Sequence, residues 1–173
     1  FCLSRGLGDV YKRQVLSDDI PVFKIKLSIE SESDPYKTLQ LRSFFRQFEQ
    51  GRQPEEYYDV LREPDLIKRE EKIDCLFNKY PNEFKEAQKE AWQAKLGSAD
   101  FPSELIDKRI TECINGYKNW VLIGGPPCQA YSLAGRSRVG GINEDDHRVY
   151  LYKEYLRIIA SHQPAVFVME NVK

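Results

Sequence analysis

The chain is poor in the residues that build metal and disulfide sites. It has two histidines, His147 and His162, and four cysteines, Cys2, Cys75, Cys113 and Cys128, spaced 73, 38 and 15 positions apart. With no C-x-x-C pair, neither zinc nor a disulfide framework is expected, and a reducing cytoplasm is the expected compartment. Cys75 and Cys113 are read as small buried apolar residues. Long hydrophobic runs are also missing. The longest are Trp120 to Ile123 and Ala165 to Met169, far below the roughly 20 residues a membrane span requires. Nor does either sign of charge dominate: 26 Lys and Arg stand against 27 Asp and Glu, for a net of −1. Binding to a phosphate polymer through bulk basicity is thereby excluded. From Ser43 to Gly116 the balance is 12 against 16, so this stretch will not attract phosphate. The chain opens without an initiator Met or signal peptide and stops four residues after an apolar run, so it is expected to be a fragment. Residues 1–14, FCLSRGLGDVYKRQ, show no periodicity and are expected to be a non-native leader or a disordered arm.

Disorder is not expected of the remainder. Hydrophobic residues make up 41% of 173, enough to build the core of one domain. From Pro21 onward, Phe23, Ile25, Leu27 and Ile29 alternate with Lys24, Lys26 and Ser28, which predicts a strand ending near Glu30. Asp34-Pro35 predicts a helix cap, with the helix running to about Gln50 and carrying Tyr36, Leu39, Phe44, Phe45 and Phe48 inward. Residues 54–116 predict short helices broken at Pro54, Pro64, Pro81, Gly97 and Pro102. Three apolar stripes mark them: Leu66, Ile67, Ile73, Leu76 and Phe77; Phe84, Ala87, Ala91 and Trp92; Leu105, Ile106, Ile110, Cys113 and Ile114.

Beyond Trp120 the pattern changes. A short β run meets Gly124-Gly125-Pro126-Pro127, which ends it, and an 18-residue loop from Pro126 to Asn143 carries Arg136 and Arg138 but no acid. A helix is predicted from Asp146 to before Pro164, with Val149, Tyr152, Leu156, Ile159 and Ala160 on its inner side. Ala165 to Met169 then reads as a buried strand. Such a βαβ unit lays its strands parallel, so their carboxyl ends share one edge. Cys128, four residues past Gly124, and Glu170, the first past Met169, are thus expected in one crevice despite 42 positions of separation. Two prolines present Cys128 on a stiff backbone, and Arg136 or Arg138 is placed to favour its thiolate. Burial at the strand end is expected to keep a proton on Glu170. The pair suits covalent attack with protonation of the acceptor. Taken singly, such a Cys is more often a buried apolar residue and such a Glu a solvated cap.

The string Gly124-Gly125-Pro126-Pro127-Cys128-Gln129-Ala130-Tyr131-Ser132-Leu133-Ala134-Gly135-Arg136 resembles the catalytic loop of DNA (cytosine-5)-methyltransferases. Met169-Glu170-Asn171-Val172 resembles their second catalytic motif, and Asp146 to Leu151 is similar to their D-x-R-x-x-L segment. The resemblance covers roughly residues 20–50 and 117–173. It implies that Cys128 attacks carbon 6 of a flipped cytosine while Glu170 holds the ring nitrogen and amino group. The methyl donor it implies is S-adenosylmethionine, with Glu30 on the ribose and Pro127 and Leu151 packed on the cofactor. Gln129, Ser132, Arg136 and Arg138 match a loop that closes over DNA.

The fold implied is α/β: a three-layer, Rossmann-like methyltransferase core truncated at both ends, residues 20–173 forming part of the catalytic domain, with a helical insertion at about 51–116. A monomeric bacterial or phage enzyme of restriction and modification acting on double-stranded DNA is expected, without metal or membrane. The fragment itself is expected to be inactive. Some departures stand out. The family's glycine-rich cofactor motif belongs where FCLSRGLGDVYKRQ lies, and position 31, often aromatic in the family, is Ser31. Two alternatives remain open at this point, methylation of tRNA and a non-catalytic module that binds a protein partner.

Overall fold

Prolines set three of the six described helix starts. In the computed structural model, which describes residues 23–125 and 147–170, α1 spans Ser33–Phe45, α2 Glu55–Arg62, α3 Leu66–Lys79, α4 Pro81–Glu90, α5 Ser103–Ile114 and α6 His147–His162. The strands are β1 (Ser28–Glu30), β2 (Ala91–Gln93), β3 (Val121–Gly124) and β4 (Val166–Met169), so the architecture is mixed α/β. Pro54 and Pro102 occupy the N-caps of α2 and α5, and Pro81 opens α4, where a missing N–H costs nothing. Asp65 caps α3, its carboxylate accepting from the N–H groups of Ile67 (2.9 Å) and Lys68 (3.1 Å). The αL residue Asn115, followed by Gly116 at φ +78°, closes α5.

The chain divides into two compact units. One is Glu32–Gln93; the other joins the described residues up to Ser31 to those from Ala94 onward. The first is centred on fully buried Phe44, which meets Phe48 and Phe77 edge to face with ring centroids 5.1 Å apart in each case. Leu41, Tyr57, Val60, Leu76, Phe77 and Ala87 complete its core. Beneath them Glu90 accepts from Ser43 Oγ (3.0 Å) and Arg46 Nε (3.1 Å), tying the end of α4 to α1.

Several expectations shift here. The first strand is confined to Ser28–Glu30 and Phe23 is exposed; alternation makes a strand only where a neighbour supplies ladder bonds. Helix α1 is capped at Glu32, two residues before Asp34, because Pro35 in the first turn still replaces an N–H that has no partner in the helix. It also stops at Phe45, five residues short of Gln50. Ala91 and Trp92 lie in β2 and not on the preceding helix. Leu66 and Ile67 are 71% and 73% exposed at the first turn of α3, while the core contacts come from Leu76 and Phe77 further along. Leu105 is exposed on α5, whose buried residues are Ile106 and Ile110. Cys75 is exposed rather than buried; Cys113 is half-buried, and burial pushes its thiol up.

Candidate active site

The second unit holds the predicted strand pair. β3 and β4 run parallel with Val121 opposite Val166, Leu122 opposite Phe167, Ile123 opposite Val168 and Gly124 opposite Met169. The ladder extends at both ends, since Ala165 N–H donates to the Trp120 carbonyl (3.1 Å) and Glu170 N–H to the Gly124 carbonyl (2.9 Å). Glu170 is therefore tied to the residue where the glycine-proline segment begins. Gly125 lies beside the Glu170 side chain. A Cβ built there would sit 3.5 Å from Glu170 Cβ and 3.9 Å from its Oε2, so the bare backbone runs along the carboxylate side chain.

Helix α6 reaches β4 through Tyr155. Its side chain is fully buried and its hydroxyl donates to the Val168 carbonyl at 2.9 Å. The buried face of α6 carries Glu154, Tyr155 and Ile158, one position round from the expected stripe; Leu156 and Ala160 are exposed, and Tyr152 and Ile159 only half-buried. The same i, i+4, i+7 spacing from Leu151 would have found Tyr155 and Ile158. Sequence reading also missed a charged cluster between α5 and α6. Arg157 Nη1 donates to both oxygens of Asp107 (2.8 and 2.7 Å), its Nε to Glu154 (3.0 Å), and His162 Nε2 lies 2.9 Å from Asp107 Oδ1. Burial pushes the Asp107 carboxyl up, but the bonds and charges of Arg157 and His162 outweigh it and hold the group below the usual carboxylate range.

Strand β4 is not buried as its composition predicts. Its four side chains are 39–53% exposed, with β3 hydrogen-bonded along one edge. Glu170 is exposed too, and not buried at the strand end as expected.

Glu30 ends β1, buried, with its Oε1 accepting the Ser31 N–H at 2.8 Å and its carbonyl accepting the Ala94 N–H at 3.0 Å. Leu151 is half-buried on α6. Cys128, Pro127, Gln129, Ser132, Arg136 and Arg138 lie outside the described residues, as do residues 1–14. Among the described residues, no group of three His, Cys, Asp or Glu could hold a metal ion and no helix is long and apolar enough to cross a membrane.

The sequence profile of C-5 cytosine-specific DNA methylases matches residues 69–173, well over half the chain and the whole of the β3–β4 pair. The chain belongs to this DNA methylase family. Among its relatives, the Type II methyltransferase M.Bpa9945I of Bacillus paralicheniformis is 31% identical over 159 residues, covering 87% of this chain and 36% of the relative. Type II methyltransferase M1.HphI of Haemophilus parahaemolyticus is 47% identical over 68 residues, 39% of this chain and 18% of the relative. M.HpaII of Haemophilus parainfluenzae is 35% identical over 99 residues, 57% and 25% of the two chains. The chain thus spans about a third of the Bacillus relative and less of the other two. No solved structure matches it.

Proposed function

We propose that the protein carrying this chain methylates carbon 5 of cytosine in double-stranded DNA, drawing the methyl group from S-adenosylmethionine and working through a covalent adduct on Cys128. The observation that carries this reading is the parallel register that ends with Glu170 bonded to Gly124. Only Pro126 and Pro127 stand between Gly125 and Cys128 in the sequence, and so short a connection supports the reading that thiol and carboxylate act on one base.

In this reading the Cys128 thiolate forms a bond to carbon 6 of the flipped cytosine, and the displaced ring electrons make carbon 5 nucleophilic. Glu170 holds the ring nitrogen and amino group and favours protonation of the ring. Loss of the carbon-5 proton after methyl transfer restores the ring double bond and expels Cys128. S-adenosylmethionine supplies an electrophilic methyl group when bound. Glu30 fits its ribose chemically, since a carboxylate at the end of a strand can accept from two hydroxyls. Leu151 and Pro127 would pack on the cofactor, and Gln129, Ser132, Arg136 and Arg138 would contact DNA backbone or the flipped nucleotide. The whole is a Rossmann-like core whose remaining strands lie elsewhere in the protein, which serves as the modification enzyme of a bacterial or phage restriction system.

The test uses the full-length protein with labelled S-adenosylmethionine and either duplex DNA or tRNA as acceptor. Transfer to DNA is expected, Cys128→Ala abolishes it, and DNA carrying 5-fluorocytosine traps a covalent adduct at Cys128. Full activity in Cys128→Ala overturns the mechanism, and label on tRNA alone overturns the substrate.

A further inference from the structure

The chemistry just described gives no role to the buried side chain of Tyr155, whose hydroxyl joins α6 to β4. We propose that Tyr155 is the positioning residue for Glu170, acting through the backbone of β4; the inference rests on the assignment of Glu170 made above.

Strand β4 is four residues long, and among the described residues backbone hydrogen bonds hold it from two directions. Sideways, the Ala165 and Glu170 N–H groups bind β3 at either end of the strand. From the helix, the Tyr155 hydroxyl binds the Val168 carbonyl, two residues before Glu170 and therefore on the same pleat. A fully buried phenol needs such a partner, and burial pushes its pKa up, so it remains a donor across the working pH range. The α6 end of this contact is rigid: Tyr155 and Ile158 are both fully buried on one face of a 16-residue helix. A carboxylate that must meet two atoms of a pyrimidine edge tolerates little displacement, because misplacement near 1 Å costs up to about 100-fold in rate.

The experiment compares three variants of the full-length protein with the parent, with kcat and KM for duplex DNA normalised to the folded fraction. Tyr155→Phe keeps the ring and removes only the donor; kcat is expected to fall roughly five- to tenfold with KM unchanged. Ile158→Val loosens the same face without touching the hydrogen bond and is expected to keep the parental kcat. Glu170→Gln is expected to lose activity about 100-fold or more. Parental kcat in Tyr155→Phe, or an equal loss in Ile158→Val, overturns the positioning role while leaving Glu170 in place. Full activity in Glu170→Gln overturns the assignment of Glu170 and, with it, this inference.

Discussion

Both carboxylate oxygens of Asp107 accept from a single nitrogen of Arg157, and His162 stands within hydrogen-bond distance of one of them. This cluster fastens α5 to α6, the helix whose Tyr155 meets the strand leading to Glu170. Because Asp107 is held below its ordinary range, its contribution is complete above the unfolded carboxylate value near 4 and is lost as pH falls through the folded value. Denaturation of the full-length protein by urea between pH 7 and pH 3 should show stability falling at the acid end. Asp107→Asn should lower stability at pH 7 by about 1 kcal/mol and flatten that acid dependence. An unchanged acid slope in the variant would remove Asp107 as its source.

Glu90 is a different case, because it is buried against Arg46 and Ser43. Removing one partner strands a charge in a poor solvent, at a cost of about 3 kcal/mol or more, while replacing both with apolar residues of similar size approaches neutrality. A double-mutant cycle of Glu90→Met and Arg46→Met, read by urea midpoints, should give single variants that are much less stable than the pair combined. Additive losses would contradict the coupling.

Gly125 is predicted to accept alanine. The added Cβ would meet Glu170 at 3.5 Å, an ordinary contact, so Gly125→Ala in the full-length protein should keep stability within about 1 kcal/mol. Valine adds two methyl groups against the same side chain, and Gly125→Val should lower kcat by displacing the carboxylate. Equal activity in the two variants would show that Glu170 does not depend on this clearance.

The feature that matters most was legible because it rests on coarse signals. Two apolar runs, a glycine-proline stop and a helix between them suffice to predict parallel strands, whatever their surroundings. Which face of α6 turns inward was not legible in the same way. Tyr152, Leu156 and Ile159 form one helical stripe, Leu151, Tyr155 and Ile158 another, and hydrophobicity alone does not choose between them; the hydrogen bond from Tyr155 to Val168 does. The exposure of β4 was hidden for a related reason. Composition reports what a strand would bury, not whether a covering layer is at hand. The Asp107, Arg157 and His162 cluster escaped because 50 residues of chain separate its acid from its guanidinium, and single charged residues carry no periodicity.

Parity follows from the register of β3 and β4. Side chains on a strand alternate between faces, so losing one residue within Val166–Met169 would send the Glu170 carboxylate to the opposite face, whereas losing one between the two strands leaves its facing untouched. Length is therefore free to drift along the crossover and frozen in the two four-residue strands, a contrast set by the pleat itself.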